Sequence, residues 1–304
     1  MNGKNGEKFM SEFNMIKQIN RKNLDQEKYT KCLRKSVNYR VYAEIWYLDL
    51  LVNKRWDCLV YGDYQAVMPL PFIRLLGMKF VSQPTYCQQL GVFHSDNFPI
   101  EVFQRIYRKL EKKRVKSYHF NEENTLLFSP QGEKRINHIL PVNNREYDKK
   151  TKKNVRSFIN KKVELRWNSV EIDELINFKQ KNSQHAVDIQ QLFRVLTILQ
   201  EKKKATIITA HSEGELVGFS VFIDSGQRGI YVNASVNNQG KKMAVPTGIL
   251  DAYIQENPMK ILDFEGSNIP SIAHFFEGFG AQKKYYTCYK NNRLCLLYTS
   301  DAAD

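Results

Sequence analysis

Asp263 and Glu265 alternate with Phe264 in the segment KILDFEG. On an extended strand this alternation puts both carboxylates on one face. A carboxylate there, its pKa raised by burial, takes a proton from an amine directly or through water; the plainer role for Asp263 is to cap the strand-helix turn. Tyr231, Asn233 and Ser235 alternate likewise in GIYVNASV and are expected to share a face, either lining a substrate site or packing on a helix. Gln83, Gln88 and Gln89 make a polar loop cluster whose amides suit the peptide or sugar groups of an acceptor, with ordinary loop bonding as the alternative. Ser267 is a further candidate for substrate contact, although it or Asn268 also suits the N-cap of the next helix. Arg156, beside Lys152 and Lys153, and the pair Lys241-Lys242 ahead of Thr247 at a helix start, offer charge and backbone amides to a phosphate. A solvated helix face is the competing role for most of these lysines.

Several chemistries are not indicated. The five cysteines (Cys32, Cys58, Cys87, Cys288 and Cys295) are scattered and never arranged as CxxC, and the six histidines form no HxxxH pair. Neither a zinc site, another metal site nor a disulfide framework is expected from that spacing. There is no Ser/His/Asp set, P-loop or dinucleotide fingerprint, so nothing supports a covalent intermediate. No apolar run approaches the roughly 18–20 residues that cross a bilayer. The opening MNGKNGEKFMSEFN lacks the apolar core of a secretory signal. The expected compartment is the cytoplasm.

Charge points to an anionic partner. The net charge is +14. Residues 105–116 carry seven basic side chains against one acidic, and residues 145–166 carry nine against three. Clusters of this kind suit RNA, a nucleotide-bearing donor or an anionic membrane surface, or serve as solvated helix faces.

The elements that must position these residues follow from periodicity. Residues 37–54 have apolar side chains at helical spacing. DCLVYGDYQAVMPL is a hairpin turning at Gly62-Asp63, and GMKFVSQ is a strand. FPIEVFQRIYRKLEKKR is a basic helix, followed by strands at VKSYHF and RINHILPV. A boundary is expected near Pro141–Tyr147, dividing residues 15–143 from 144–294. Beyond it lie a basic helix over 144–162, a strand at VELRW and helices near 171–182 and 186–203. Three strands follow, ATIITAHS, ELVGFSVFID and GIYVNASV, turning at Glu213-Gly214 and Ser225-Gly226. A helix with Pro246 in its first turn, the strand KILDFEG, a helix at SIAHFFEGF and a strand at KKYYTCYK complete the order. Residues 1–14 are expected to be an unstructured leader, with Met15 suited to initiation. Residues 295–304 look like a translated sequencing-library adapter.

Two helices, three antiparallel strands, helix, strand, helix and strand is the order of a GNAT domain. Four segments resemble the FemAB-like branch of that superfamily: YLDLLVNKRWDCLV (47–60), QPTYCQQLGVF (83–93), KKTKKNVRSFINKKVEL (149–165) and LDFEGSNIPSIAHFFEGFGA (262–281). The last is similar to the family's Asp-Phe-Gly-Gly-Ser strand end with its following Phe-Lys-x-x-Phe-Gly helix. The resemblance covers about residues 20–294. It implies an α/β (α+β) fold of tandem GNAT-like domains, each a mixed, largely antiparallel sheet flanked by helices. It also implies a bacterial acyl or aminoacyl transferase acting on an amine acceptor such as a peptidoglycan or other cell-envelope precursor. No tightly bound cofactor is implied; the donor co-substrate would be acyl-CoA or aminoacyl-tRNA, and tRNA would then be a partner. In such a fold two central parallel strands splay, here GIYVNASV and KILDFEG, and the acyl group sits between them.

Two departures keep other functions open. Acetyl-CoA enzymes of the superfamily carry a Gln/Arg-x-x-Gly-x-Gly/Ala loop, whereas NNQGKKMAVPTGIL has a single glycine, Gly240, out of register. In the last helix, Phe276 stands where the peptidoglycan-bridge enzymes have a lysine. An acetyl-CoA-dependent N-acetyltransferase and a catalytically silent GNAT-fold ligand-binding protein are therefore the alternatives.

Overall fold

The computed structural model describes residues 15–143, 145–183, 188–266 and 269–291. The expected leader at 1–14 and the tail at 295–304 lie outside them. The chain divides into two units, one holding the residues up to Arg135 together with those from Tyr285 on, the other Ile136–Lys284. That division precedes the boundary expected near Pro141–Tyr147, and the end of the last strand belongs with the first unit.

In the first unit, β1 (Ile16–Asn20), β2 (Trp56–Tyr61), β3 (Ala66–Leu75) and β4 (Met78–Ser82) form an antiparallel meander. The short β5 (Phe93–His94) joins β3. β4 runs parallel to β6 (Val115–Phe120), whose other neighbour is the Tyr285–Asn291 part of β13 (Gln282–Asn291). Helices α1 (Gln26–Lys35), α2 (Ile45–Val52), α3 (Ile100–Glu111) and α4 (Glu122–Phe128) flank this sheet. Helix α3 buries Val102, Phe103, Ile106 and Leu110 at helical spacing and leaves its basic side chains in water.

The helix expected over 37–54 is shorter than its apolar pattern. Asn38 is fully buried. Its amide donates to Val92 O at 2.8 Å, its Oδ1 accepts from His94 N at 3.3 Å, and the Val37 amide donates to His94 O. Those bonds commit 37–40 to the neighbouring β5 segment, so only a 3-10 turn at Val41–Ala43 and α2 remain helical. Asn53 and Lys54, both in left-handed backbone, end α2.

The second unit begins within β7 (Glu133–Leu140), and its strand order is β7, β12 (Ile261–Asp263), β11 (Arg228–Val236), β10 (Glu215–Ser225), β9 (Ala205–Ser212), β8 (Glu164–Trp167). Only the β11–β12 pair is parallel. Its helices are α5 (Lys149–Ile159), α6 (Ile172–Asn182), α7 (Ile189–Glu201), α8 (Asn238–Lys242), α9 (Val245–Glu256) and α10 (Pro270–Glu277). The basic helix expected over 144–162 starts later because Asp148 caps it, accepting from Thr151 N at 2.6 Å. Helices α5 and α9 approach so closely that a Cβ on Gly248 would stand 2.3 Å from the Phe158 ring. The core beneath α9 and α10 joins Leu140, Phe222, Ile249, Tyr253, Phe264 and Phe276, with Phe222 stacked on Tyr253 at 3.7 Å between ring centroids. Trp167 and Tyr285 are exposed aromatic residues.

Candidate active site

The second unit holds a cavity of about 120 Å³ where β10, β11 and the first turn of α9 meet, lined by Ser220, Tyr231, Ala234, Ser235, Val245 and Pro246 among others. Three local features open it. First, β11 and β12 pair only from Arg228–Ile261 to Ile230–Asp263, after which β12 ends and β11 runs on to Val236. Second, the β10–β11 register slips between Val221 and Phe222: Phe222 faces Tyr231, Val221 faces Asn233, and Val232 is the extra residue of a bulge. Third, Ala244 is the N-cap of α9 in left-handed backbone with no side-chain cap, and Pro246 follows in the first turn, so the helix presents uncapped backbone amides at this end.

The bulge corrects the expected facing of the β11 residues. Cross-strand partners share a face, so Tyr231 and Ala234 lie with Phe222 and Ser220, while Asn233 and Ser235 lie with Val221 and Phe219. Tyr231 is thus on the opposite face from Asn233. Burial pushes the Tyr231 phenol up to about 12, against the opposing pull of a hydrogen bond with the buried Ser220 hydroxyl. On the other face, Phe178 of α6 packs on Phe219 with ring centroids 6.0 Å apart. Lys179 beside it donates to Ala234 O at 2.6 Å, and burial lowers its pKa. The Asn233 Oδ1 is buried without a hydrogen-bond partner among the described residues.

Asp263 is 1% exposed and fully engaged. Its Oδ2 accepts from Arg228 at 2.6 Å, and its Oδ1 accepts from Asn137 Nδ2 and from the Glu265 backbone amide, both at 2.9 Å. A buried carboxylate holding these three donors is an anchor across β7, β12 and β11. Glu265 does not continue the strand. It sits half-buried in left-handed backbone (φ 56), with Gly266 also at positive φ, so strand alternation does not carry to it and the two carboxylates do not share a strand face. Ser267, with Asn268, lies outside the described residues.

The candidate donor-binding residues fall on two segments. Lys241 and Lys242 are exposed at the end of α8, and Arg156, Lys152 and Lys153 are exposed on α5. Thr247 is buried in the third position of α9, two residues inside the helix start. Gly240 is a packing glycine: Asn237 caps it at 2.7 Å, and a Cβ there would stand 2.4 Å from Val217 O.

In the first unit the three glutamines hold loops. Gln83 accepts from His119 N at 3.1 Å and donates to Cys87 O at 2.6 Å. Gln89 is fully buried, accepting from Glu122 N at 3.1 Å and donating to Gln88 Oε1 at 2.8 Å. The Gln88 carbonyl meets His119 Nδ1 at 2.8 Å.

Ser220 and Lys179 were not read from the sequence. Each meets Tyr231 or Ala234 through cross-strand register or tertiary packing, and neither belongs to a local motif.

No family model matches the sequence, and no curated protein matches it. Solved structures do. FemX covers 93% of this chain and 99% of its own at 11% identity, with a TM-score of 0.64. L-PGS from Bacillus licheniformis covers 88% and 92% at 14% identity, TM-score 0.53. A GNAT-family acetyltransferase from Colwellia psychrerythraea covers 91% and 100% at 13% identity, TM-score 0.50. At these identities the likeness is one of fold. The chain shares the fold of these structures, a mixed α/β architecture of largely antiparallel sheet flanked by helices.

Proposed function

We propose that this protein is an acyltransferase that moves an acyl or aminoacyl group from a thioester or ester donor onto an amine. The observation that carries this is the cavity between β10, β11 and the uncapped start of α9, whose lining includes Tyr231 and Ser220, joined by a hydrogen bond. Its 120 Å³ suits an acyl moiety and leaves the carrier outside. The amine nitrogen adds to the carbonyl carbon, the C–N bond forms, and the C–S or C–O bond to the carrier breaks. β11 backbone amides beyond Ile230 are the groups we assign to the developing oxyanion. Tyr231, kept protonated by its raised pKa, supplies a hydrogen bond or proton to the departing heteroatom. Glu265, and not the anchored Asp263, is the carboxylate we assign to the amine proton.

Acyl-CoA and aminoacyl-tRNA remain the two donor classes. The exposed Lys241, Lys242 and Arg156 suit the phosphates of either. The packed Gly240 leaves no glycine-rich cradle on α8, which favours a donor held by side chains and by the start of α9. By the family resemblance the acceptor is a cell-envelope precursor. No helix among the described residues is long and apolar enough to cross a membrane.

Calorimetric titration with acetyl-CoA and, separately, with charged tRNA at two salt concentrations tests the reading. Binding of acetyl-CoA alone selects the N-acetyltransferase. Salt-sensitive tRNA binding that needs the aminoacyl group selects the aminoacyl transferase. Binding of neither sinks the transferase reading and leaves the silent ligand-binding protein.

A further inference from the structure

The β3–β4 hairpin of the first unit ends in an arrangement that costs stability in water. Leu75 pairs with Met78, leaving a two-residue turn of Leu76 and Gly77, both at positive φ (49 and 75). A turn of this kind favours Asn-Gly, and left-handed backbone is unfavourable for a leucine. The side chain gains nothing in return within the unit, since Leu76 is 93% exposed, with Leu75 beside it at 47%. Ile73 and Met78 are half-buried behind them. Asparagine at 76 would suit both the turn and the solvent, yet a leucine stands there.

The surroundings of this prong are cationic. Strand register places the prong at one edge of the sheet: Asn20 is opposite Asp57, Trp56 opposite Pro71, and Val81 beside Val115. The same edge therefore carries Lys22 after β1, Lys54 and Arg55 before β2, Arg74 on the prong, and Lys112 and Arg114 before β6, all exposed. Against them stand Asp49 and Asp57, ion-paired with Arg21 and Lys79 respectively, and Glu111 at the end of α3. Beyond Trp56–Pro71 and the Phe72–Arg55 backbone bond the prong has left β2, so the leucines project past the charged rim.

The geometry points to an anionic lipid bilayer as the partner of this edge, with Leu75 and Leu76 entering the interface and the basic rim meeting lipid phosphates. Exposed apolar side chains ringed by cations combine the two attractions that hold peripheral proteins on such membranes, burial of apolar surface and charge. An RNA ligand would use the rim and have no use for the leucines. A protein partner would not require lipid. The inference stands apart from the transfer reaction, whose cavity lies in the other unit.

The test is co-sedimentation of the full chain with vesicles of phosphatidylglycerol and, separately, of phosphatidylcholine. Binding is expected to the anionic vesicles, with loss in high salt and little binding to the neutral ones. Leu76→Asn keeps or raises the melting temperature, because it suits the turn, and weakens vesicle binding about tenfold. Lys112→Ala and Arg114→Ala each weaken it about fivefold. Absence of binding to anionic vesicles overturns the proposal. So does binding that Leu76→Asn leaves unchanged, and so does equal binding to both lipids.

Discussion

Arg228 donates to Asp263 Oδ2 at 2.6 Å, joining the first residue of β11 to the last residue of β12. The ion pair runs diagonally across the short parallel ladder, from its first pair, Arg228–Ile261, to its last, Ile230–Asp263. Asn137 on β7 holds the other carboxylate oxygen, extending the latch over three strands.

Replacing Arg228 with methionine leaves that buried carboxylate without its cation. The expected loss is about 3–5 kcal/mol, read as a lower urea midpoint for the second unit. Asp263→Asn retains an oxygen for the Glu265 amide and should cost less. If the methionine variant unfolds at the wild-type midpoint, the latch does not stabilise the second unit.

Tyr231→Phe removes the only phenol on the cavity lining described above and should lower kcat roughly a hundredfold if that hydroxyl acts in the transition state. Because burial raises this phenol to about 12, the proton-bearing form persists through pH 10, above which an ordinary tyrosine has ionised. The wild-type rate should therefore show no tyrosine-dependent decline between pH 8 and 10. Ser220→Ala removes the bond that holds this pKa down, so the phenol should then titrate still higher, as ultraviolet titration would reveal.

Lys241→Ala and Lys242→Ala should weaken donor binding in a salt-dependent way and leave thermal stability unchanged, since both side chains are exposed. Gly240→Ala should do the reverse. Its Cβ meets the Val217 backbone oxygen at 2.4 Å, a neighbour that cannot rotate away, and overpacking of this kind costs about 1–3 kcal/mol. Thermal melts and donor titrations on the same three variants separate the two effects.

His119 gives the first unit a pH limit. Burial lowers its pKa from 6.5 to about 4, with the Gln88 carbonyl opposing. The unfolded chain binds the proton near 6.5 and the folded chain does not, so stability falls as the pH drops from about 6.5 to 4. The contribution is at most about 3 kcal/mol. In His119→Gln the fall over that window should be smaller, by denaturant titration at several pH values. An equal fall in the variant assigns the dependence to other groups.

The parts of the fold legible in the sequence were those whose signals are local. β9, β10 and β11 emerged in place because Glu213-Gly214 and Ser225-Gly226 mark their turns, and Glu213, Gly214 and Gly226 do adopt positive φ. Helix α1 gives no periodic signal because it buries only Tyr29 and Leu33 among charged residues. The helix drawn over 37–54 overran because Asn38 spends its amide on a segment more than fifty residues away. In the candidate site, Tyr231 was legible as a polar aromatic on a central strand, but its neighbours were not. The Val232 bulge has no residue signature and exists only in the register against β10. Asp263 was legible as a strand-end carboxylate, and its occupation by Arg228 and Asn137 depends on strands far apart in the chain.

The last strand has a bearing on synthesis. β6 is bordered on one side by β4 and on the other by Tyr285–Asn291, yet those final residues are made only after 136–284. While the ribosome completes the second unit, the Val115–Phe120 backbone therefore waits with one row of amides and carbonyls open, the condition in which strands pair with the wrong chain. A nascent chain halted before residue 285 should be a better client for chaperones than one released whole.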